Sequence, residues 1–148
     1  MTIESALNAM RAAGLKDTLA RRSVIEILAA RRESASPADI AEAAKRRKKP
    51  VNLVTVYRIL EVMEGAGVVH RHPCSGRFAL CQLDSTAGHH GFLHCHDCGH
   101  SEEFLNEDLC RLEKNIAAKA GFASQSHVAE IIGRGIGEVA PARLAAEG

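Results

Sequence analysis

All eight histidines and all five cysteines of the 148-residue chain lie between His70 and His127, and the first 69 residues contain neither type. Imidazole nitrogen and thiolate sulfur are the side-chain ligands that suit zinc and other soft or borderline divalent metals. This confinement predicts that one part of the chain binds metal while the other part does something else.

Charge divides the chain near the same place. Residues 1–60 carry 12 Lys/Arg against 6 Asp/Glu, a net charge of +6, whereas residues 61–148 carry 7 against 12, a net charge of −5. A basic half is the usual electrostatic signature of a polyanionic partner. The two asymmetries together predict a polyanion-binding half that is controlled by a metal-binding half.

The tightest ligand spacing is Cys95-His96-Asp97-Cys98, which is typical of one half of a zinc knuckle. A four-cysteine site needs a second such pair, and the other three cysteines are too isolated from one another to supply it. Cys95 and Cys98 are therefore candidate ligands of a structural metal, or else a reduced or redox-sensitive thiol pair.

The other candidate ligands fall on predicted strands, where neighbouring residues point to opposite faces and can serve two sites. One candidate set offers nitrogen, sulfur and oxygen ligands that suit zinc. It comprises His70, Cys81, His90 and Glu103. A second cluster comprises His89, Cys110 and His127. Taken singly, each histidine could equally be a surface residue, but no such residue occurs in the first 69 positions.

The elements of the basic half must position any nucleic-acid contact. Helical patterns cover residues 5–13, 18–32, 36–46 and 52–65, and a hairpin pattern follows over residues 68–81. The last three helices and the hairpin predict a winged helix that presents its final helix to the major groove. The alternative is a helical domain whose basic residues only solvate one face.

The acidic half has a β-β-α-β pattern of about 50 residues, which is too small to cover its own sheet. We therefore expect a homodimer that buries apolar residues across its interface, namely Leu109, Leu112, Ile116, Val128, Ile131 and Ile132. The predicted fold is α+β, with an N-terminal winged-helix DNA-binding domain and a small α/β dimerisation domain. The predicted segments are 1–83 for the first domain, 84–88 for a hinge, 89–140 for dimerisation and metal sensing, and 141–148 for a tail.

Several classes of protein are disfavoured. No apolar run approaches the roughly 20 residues of a membrane span, and the N-terminus lacks the pattern of a signal peptide, so we expect a cytoplasmic protein without membrane contact. A zinc hydrolase is a further alternative, but no additional polar group stands out as its general base. We expect no enzyme activity.

The motif Thr55-Val56-Tyr57-Arg58, with Gly65 and Gly67 after it, and the later run HHGFLHCHDCGHSEEF resemble the ferric uptake regulator family of bacterial metal-dependent repressors. The resemblance covers roughly residues 15–135. It implies a homodimer with an N-terminal winged helix, a hinge and a C-terminal dimerisation domain. Metal bound near the hinge then closes the dimer on double-stranded operator DNA.

The resemblance also indicates a branch. The iron and peroxide branches usually place a histidine where this chain has Ser34, whereas His70 and Cys81 stand at positions used by zinc-uptake regulators. Glu103 matches a ligand used across the family. The chain is thus most similar to a zinc-responsive repressor of metal-uptake genes, with an iron-, manganese- or peroxide-responsive regulator or a thiol redox sensor as alternatives.

His89 and His127 match the family's second, tuning site, and Cys110 stands where a glutamate is usual. The strand has Gly91 and Phe92 at two common ligand positions, which leaves His90 as its only ligand to the inner site.

The family's second C-x-x-C is missing, because residues 135–138 read Gly-Ile-Gly-Glu. A structural zinc is consequently either absent, or Cys95 and Cys98 recruit His94, His96 or His100.

The candidate DNA contacts belong to the predicted recognition helix and to the basic run before it. Arg58 can donate two hydrogen bonds to guanine O6 and N7, and Tyr57 can pack on a thymine methyl or bond a phosphate. The complete set is Arg46, Arg47, Lys48, Lys49, Asn52, Thr55, Tyr57 and Arg58.

Overall fold

A computed structural model describes residues 1–31, 33–83, 90–124 and 127–135. The chain divides into two compact units, Met1–Thr86 and Ala87–Gly148. The predicted hinge, the predicted tail and His89 lie outside the described residues, as does the side chain of His90. Five helices and two small sheets confirm the predicted α+β class.

The first unit begins with four helices, each of which starts after a hydroxyl or amide residue. The helices are α1 (Ile3–Ala12), α2 (Leu19–Ala29), α3 (Pro37–Arg46) and α4 (Leu53–Gly65). The side chains of Thr2, Thr18, Ser36 and Asn52 accept hydrogen bonds from backbone N–H groups in the first turns, which otherwise lack partners. These caps explain why the sequence pattern located the helix starts to within two residues.

A two-stranded wing follows α4 and confirms the winged-helix prediction. Strands β1 (Val69–Arg71) and β2 (Phe78–Leu80) pair antiparallel, with His70 opposite Ala79. Ala35, in the segment between α2 and α3, adds an isolated bridge, because it exchanges two 2.8 Å backbone hydrogen bonds with Phe78. The bridge extends the wing by one residue from a distant part of the chain.

Arg77 fastens the wing to α3. Its guanidinium donates to the carboxylate of Asp39 at 2.9 Å and to the carbonyl of Ser34 at 2.8 Å. The backbone N–H of Ser36 also donates to Asp39, and this bond, the Ser36 hydroxyl and the Arg77 charge together hold the pKa of Asp39 below its ordinary value.

The core of this unit is aliphatic, as the composition predicts. Its largest fully buried side chains come from all four helices and the wing, and include Leu7, Met10, Ile25, Ile40, Leu60, Met63 and Phe78. With no tryptophan and few aromatic residues, the unit gains its stability from many medium-sized side chains. No helix among the described residues is long and apolar enough to cross a membrane.

The second unit has the predicted β-β-α-β order. It comprises β3 (His90–Cys95), β4 (Ser101–Leu105), α5 (Glu107–Lys119) and β5 (Ala129–Gly133). The sheet order is β4-β3-β5, with β3 antiparallel to β4 and parallel to β5. The sequence pattern predicts a last strand that begins at Ser124, whereas β5 begins at Ala129, five residues later.

This unit leaves much of its apolar surface uncovered. No residue of α5 is buried, and Phe92 is the one large apolar side chain that is buried among the described residues of the unit. The exposed apolar residues are Leu112, Ile116, Phe122, Val128, Ile131 and Ile132, each at least 48% exposed. Five of them belong to the set expected at a dimer interface.

Gly91 allows β3 and β4 to pack closely. It lies opposite Phe104 in the sheet, and a Cβ atom at position 91 would meet three carbons of the Phe104 ring at distances no real Cβ tolerates. The ring therefore covers the backbone of β3 at Gly91. A larger residue at position 91 would force the Phe104 ring to shift.

We expect Gly91→Ala to lower the free energy of unfolding by roughly 1–3 kcal/mol, because the new methyl group overpacks the Phe104 ring. Urea denaturation measures the change. Gly133→Ala is the matched control, since nothing lies within 4 Å of its added Cβ on β5. Equal effects of the two substitutions would show that the ring moves aside at little cost.

Candidate metal centre and nucleic-acid interface

Helix α4 has one buried face and one exposed face. Val56, Ile59, Leu60 and Met63 are buried, so the opposite stripe at positions 54, 57, 58 and 61 faces solvent. This stripe contains two of the predicted DNA contacts, Tyr57 and Arg58, while Thr55 is half-buried. The exposed stripe can therefore present a phenol and a guanidinium to a ligand.

Asn52 has a structural part in this surface. Its side-chain oxygen accepts a 2.8 Å hydrogen bond from the backbone N–H of Thr55 and caps α4. The exposed Asn52 side chain keeps its NH₂ group for a further contact. Its capping bond fixes where the recognition helix begins.

The basic residues of the first unit fall into two groups. Arg11 and Arg22 both bond Asp17, at 2.8 and 2.6 Å, which lowers the pKa of that carboxyl, and Lys49 lies 3.5 Å from Glu26. In contrast, several exposed cations form no ion pair with any described residue, among them Arg46, Arg47, Lys48 and Arg58. Their charge is available to a polyanion.

The wing brings together two of the predicted metal ligands. His70 lies in β1 and Cys81 directly follows β2, where its N–H bonds the carbonyl of Val68 at 2.9 Å. A ring nitrogen of His70 and the sulfur of Cys81 lie within 4.8 Å of each other. Two ligands of one tetrahedral zinc stand roughly 3.5 Å apart, given the usual Zn–N and Zn–S bond lengths. A small side-chain adjustment would therefore allow the pair to bind one ion.

Burial adds to the chemical fit of this pair. Cys81 is 1% exposed, and its thiol donates to the carbonyl of Leu83 at 2.7 Å, while His70 is half-buried. A thiolate and an imidazole withdrawn from solvent form a donor set that favours zinc over hard cations. The wing thus fits one side of a zinc site.

The second unit carries the other two predicted ligands to this ion on adjacent strands. Glu103 lies on β4 opposite Phe92 and is 4% exposed, and His90 begins β3. Burying a carboxylate costs free energy unless a cation, hydrogen bonds or a metal compensate for the lost solvation. As a buried carboxylate on β4, Glu103 remains a candidate ligand.

The predicted tuning site has a neighbour that the sequence reading overlooked. His127 Nε2 lies 3.3 Å from a carboxylate oxygen of Glu113, one turn of α5 after the half-buried Cys110. Glu113 is therefore a candidate member of the cluster, and its spacing of three residues from Cys110 on a helix is the signal that could have indicated it. The grouping of His89 with Cys110 and His127 stays a prediction.

The Cys95–Cys98 turn has no further ligand among the described residues. No third histidine, cysteine or carboxylate atom in those parts of the chain lies close enough to share an ion with the two sulfurs. His94 bonds the Ser101 hydroxyl at 2.8 Å, and His96 lies 2.7 Å from Asp97. These observations do not fit a four-ligand structural zinc.

Instead, hydrogen-bond donors surround the sulfur of Cys95. The backbone N–H of Cys98 has the largest effect, followed by those of Gly135 and Asp97 and by the side chain of Cys98, and together they lower the pKa of Cys95 to about 7. Gly135 stands where the family's second C-x-x-C would begin. Its backbone contact with Cys95 could not be read from the sequence.

Comparisons with known proteins agree with these features. Residues 12–132 match a family model described as the ferric uptake regulator family. The chain is 38% identical over 125 residues to a ferric uptake regulation protein of Legionella pneumophila. The aligned region covers 84% of this chain and 91% of that protein.

Two solved structures are similar over most of their length. A zinc uptake regulator complexed with zinc and DNA aligns with a TM-score of 0.83 over 90% of both chains, at 24% identity. The ferric uptake regulator of Vibrio cholerae aligns with a TM-score of 0.57 over 86% of this chain and 98% of its own, at 32% identity.

Proposed function

The chain belongs to the ferric uptake regulator family, and from that premise we propose that it is a zinc-responsive repressor of metal-uptake genes that binds operator DNA as a metal-loaded homodimer. It is a metal-responsive transcriptional regulator and not an enzyme. The choice of zinc is carried by one observation, the buried thiol of Cys81 beside the His70 imidazole. We place this activity in the cytoplasm, where operator DNA is accessible.

We propose that His70, Cys81, His90 and Glu103 hold the regulatory ion. The first two ligands precede the segment that connects the units, and the other two follow it. A set of four such ligands would make the activity of the protein depend on metal. Zinc would supply only coordination to these residues, because it has no redox chemistry of its own.

A regulator of iron is the second candidate, because several similar sequences are named for ferric uptake. Carboxylate and imidazole ligands alone suit iron and manganese, whereas a thiolate shifts the preference toward zinc. The metal specificity therefore depends on whether Cys81 is a ligand.

DNA binding is assigned to the exposed stripe of α4 and to the cations before it. A winged helix places such a helix in the major groove, where Arg58 can read a guanine while Arg46, Arg47 and Lys48 bind phosphates. Two recognition helices of a symmetric dimer contact half-sites that are about one helical turn apart. Operator recognition consequently requires the second copy.

The dimer is assigned to the exposed apolar face of the second unit. Side chains such as Leu112, Ile116 and Ile131 are each more than half exposed in the single chain, and burying them against a second copy is favourable by about 25 cal/mol for each Å² removed from water. This interface does not use the regulatory metal ligands.

We expect Arg58→Ala to lose sequence preference, because the bidentate contact contributes about 1–3 kcal/mol of discrimination. Competition gel shifts with operator and scrambled duplexes measure the ratio of affinities. Lys48→Ala is the control, since loss of a phosphate contact weakens both duplexes alike and lowers the salt dependence. An unchanged ratio in Arg58→Ala would remove this residue from base recognition.

Cys81→Ser should weaken zinc binding by roughly tenfold or more, because an alcohol is a much poorer zinc ligand than a thiolate. Zinc affinity is measured by competition with a chromogenic chelator, and operator affinity is measured in parallel. Cys74→Ser removes an exposed thiol from the wing turn and should leave both affinities unchanged. Wild-type zinc affinity in Cys81→Ser would contradict the assignment of the site.

Ile116→Asp should dissociate the dimer into folded monomers, since it places a charge in the apolar face. Sedimentation velocity and circular dichroism report assembly and helix content. Leu19→Asp, at an 83% exposed site in the first unit, is the matched control and should stay dimeric. Wild-type protein treated with a strong chelator should also remain a folded dimer, so dissociation on chelation would contradict an interface that is independent of metal.

A further inference from the structure

The turn after β3 holds two thiols against each other. Cys95 ends the strand, and the N–H of Gly99 closes the turn by donating to the carbonyl of Cys95 at 3.0 Å. The Cys98 side chain is exposed and hydrogen-bonds the sulfur of Cys95. The two sulfurs are therefore neighbours in a closed turn.

The surroundings of Cys95 are those of a reactive thiol. Three backbone N–H groups point at its sulfur, and such donors stabilise the thiolate form. An ion pair of 2.7 Å between Arg134 and Asp97 links the turn to the end of β5, next to the Gly135 donor. This ion pair helps to hold the turn against the end of β5 in solution.

A small cavity lies beside Cys95. It has a volume of about 250 Å³, and Cys95 lines it together with Leu93, His100, Ile131 and Gly135. Water-sized and slightly larger solutes fit in such a space. Because Ile131 also belongs to the proposed dimer face, an oxidant would approach Cys95 at the edge of that face or from the exposed side of the turn, where Cys98 lies.

We propose that Cys95 and Cys98 form a reversible dithiol–disulfide pair that a hydroperoxide oxidises, with Cys95 as the attacking and Cys98 as the resolving cysteine. The proposal follows from the juxtaposition of the two sulfurs, the N–H donors on one of them, and the lack of a third metal ligand in the described parts of the chain. It is independent of the proposed regulatory metal and of DNA binding.

The chemistry balances with one molecule of hydrogen peroxide. The Cys95 thiolate attacks one peroxide oxygen, the O–O bond breaks, and hydroxide leaves and takes up a proton, which yields a sulfenic acid and water. The Cys98 sulfur then attacks the sulfenic sulfur, an S–S bond forms, and the second oxygen leaves as water after protonation. Two thiols and one peroxide thus give one disulfide and two waters.

The test uses the full-length reduced protein, with and without prior treatment by a strong chelator. One equivalent of hydrogen peroxide per chain should lower the free-thiol count of the denatured protein from five to three. Mass spectrometry should find the Cys95–Cys98 link, which dithiothreitol removes. In Cys98→Ser, dimedone should trap a sulfenic acid on Cys95, and Cys95→Ser should retain its four thiols.

A pair of variants at position 135 tests the donor geometry without removing either sulfur. Gly135→Pro lacks the N–H that faces Cys95 and should be oxidised several-fold more slowly, whereas Gly135→Ala keeps it and should react at the wild-type rate. Equal rates in the two variants would overturn the role of the donors.

Two results would overturn the proposal as a whole. One is a zinc ion that wild-type protein retains and Cys95→Ser lacks, together with five thiols surviving peroxide. The other is oxidation of Cys74 or Cys110 as fast as that of Cys95. Neither outcome depends on zinc titration of the regulatory site. Failure of the dithiol–disulfide proposal therefore leaves the proposed function unaffected.

Discussion

The antiparallel pairing of β1 with β2 is the interaction on which both functional surfaces of the first unit depend. It sets His70 and Cys81 side by side, and it is anchored in the core by Phe78 and by the bridge to Ala35. Strand β1 also follows α4 after only three residues, so the same hairpin fixes the end of that helix. A change at the proposed metal ligands His70 and Cys81 would therefore act on an element joined directly to the proposed DNA-binding helix.

The two units differ in how they gain stability. The first unit buries an aliphatic core contributed by four helices and the wing, and it is complete within one chain. The second unit has a three-stranded sheet and one helix without a single buried residue. Because small sheets cannot cover both faces, a second copy is the natural source of the missing burial. The proposed dimer face of the second unit is then separate from the proposed metal ligands.

The cysteines of the chain depart from the pattern that the resemblance implies. Where that pattern has a second C-x-x-C, Gly135 turns a backbone N–H toward Cys95. A donor of this kind stabilises a thiolate without binding a metal, so a position that could have completed a structural site has a different chemical effect. The buried thiol of Cys81, in contrast, is placed to bind a metal, because an imidazole lies close enough to share an ion with it.

The sequence by itself determined the elements, the winged-helix order and the candidate ligand types, because capping residues, apolar periodicity and strand alternation act over a few neighbouring positions. Ser36 and Asn52 marked helix starts in this way. Only the tertiary structure decided which distant residues meet: Ala35 with Phe78, Phe104 over Gly91, Glu113 beside His127, and Gly135 at Cys95. Such contacts depend on strand register and on the packing of whole elements, and neither quantity is encoded in local spacing.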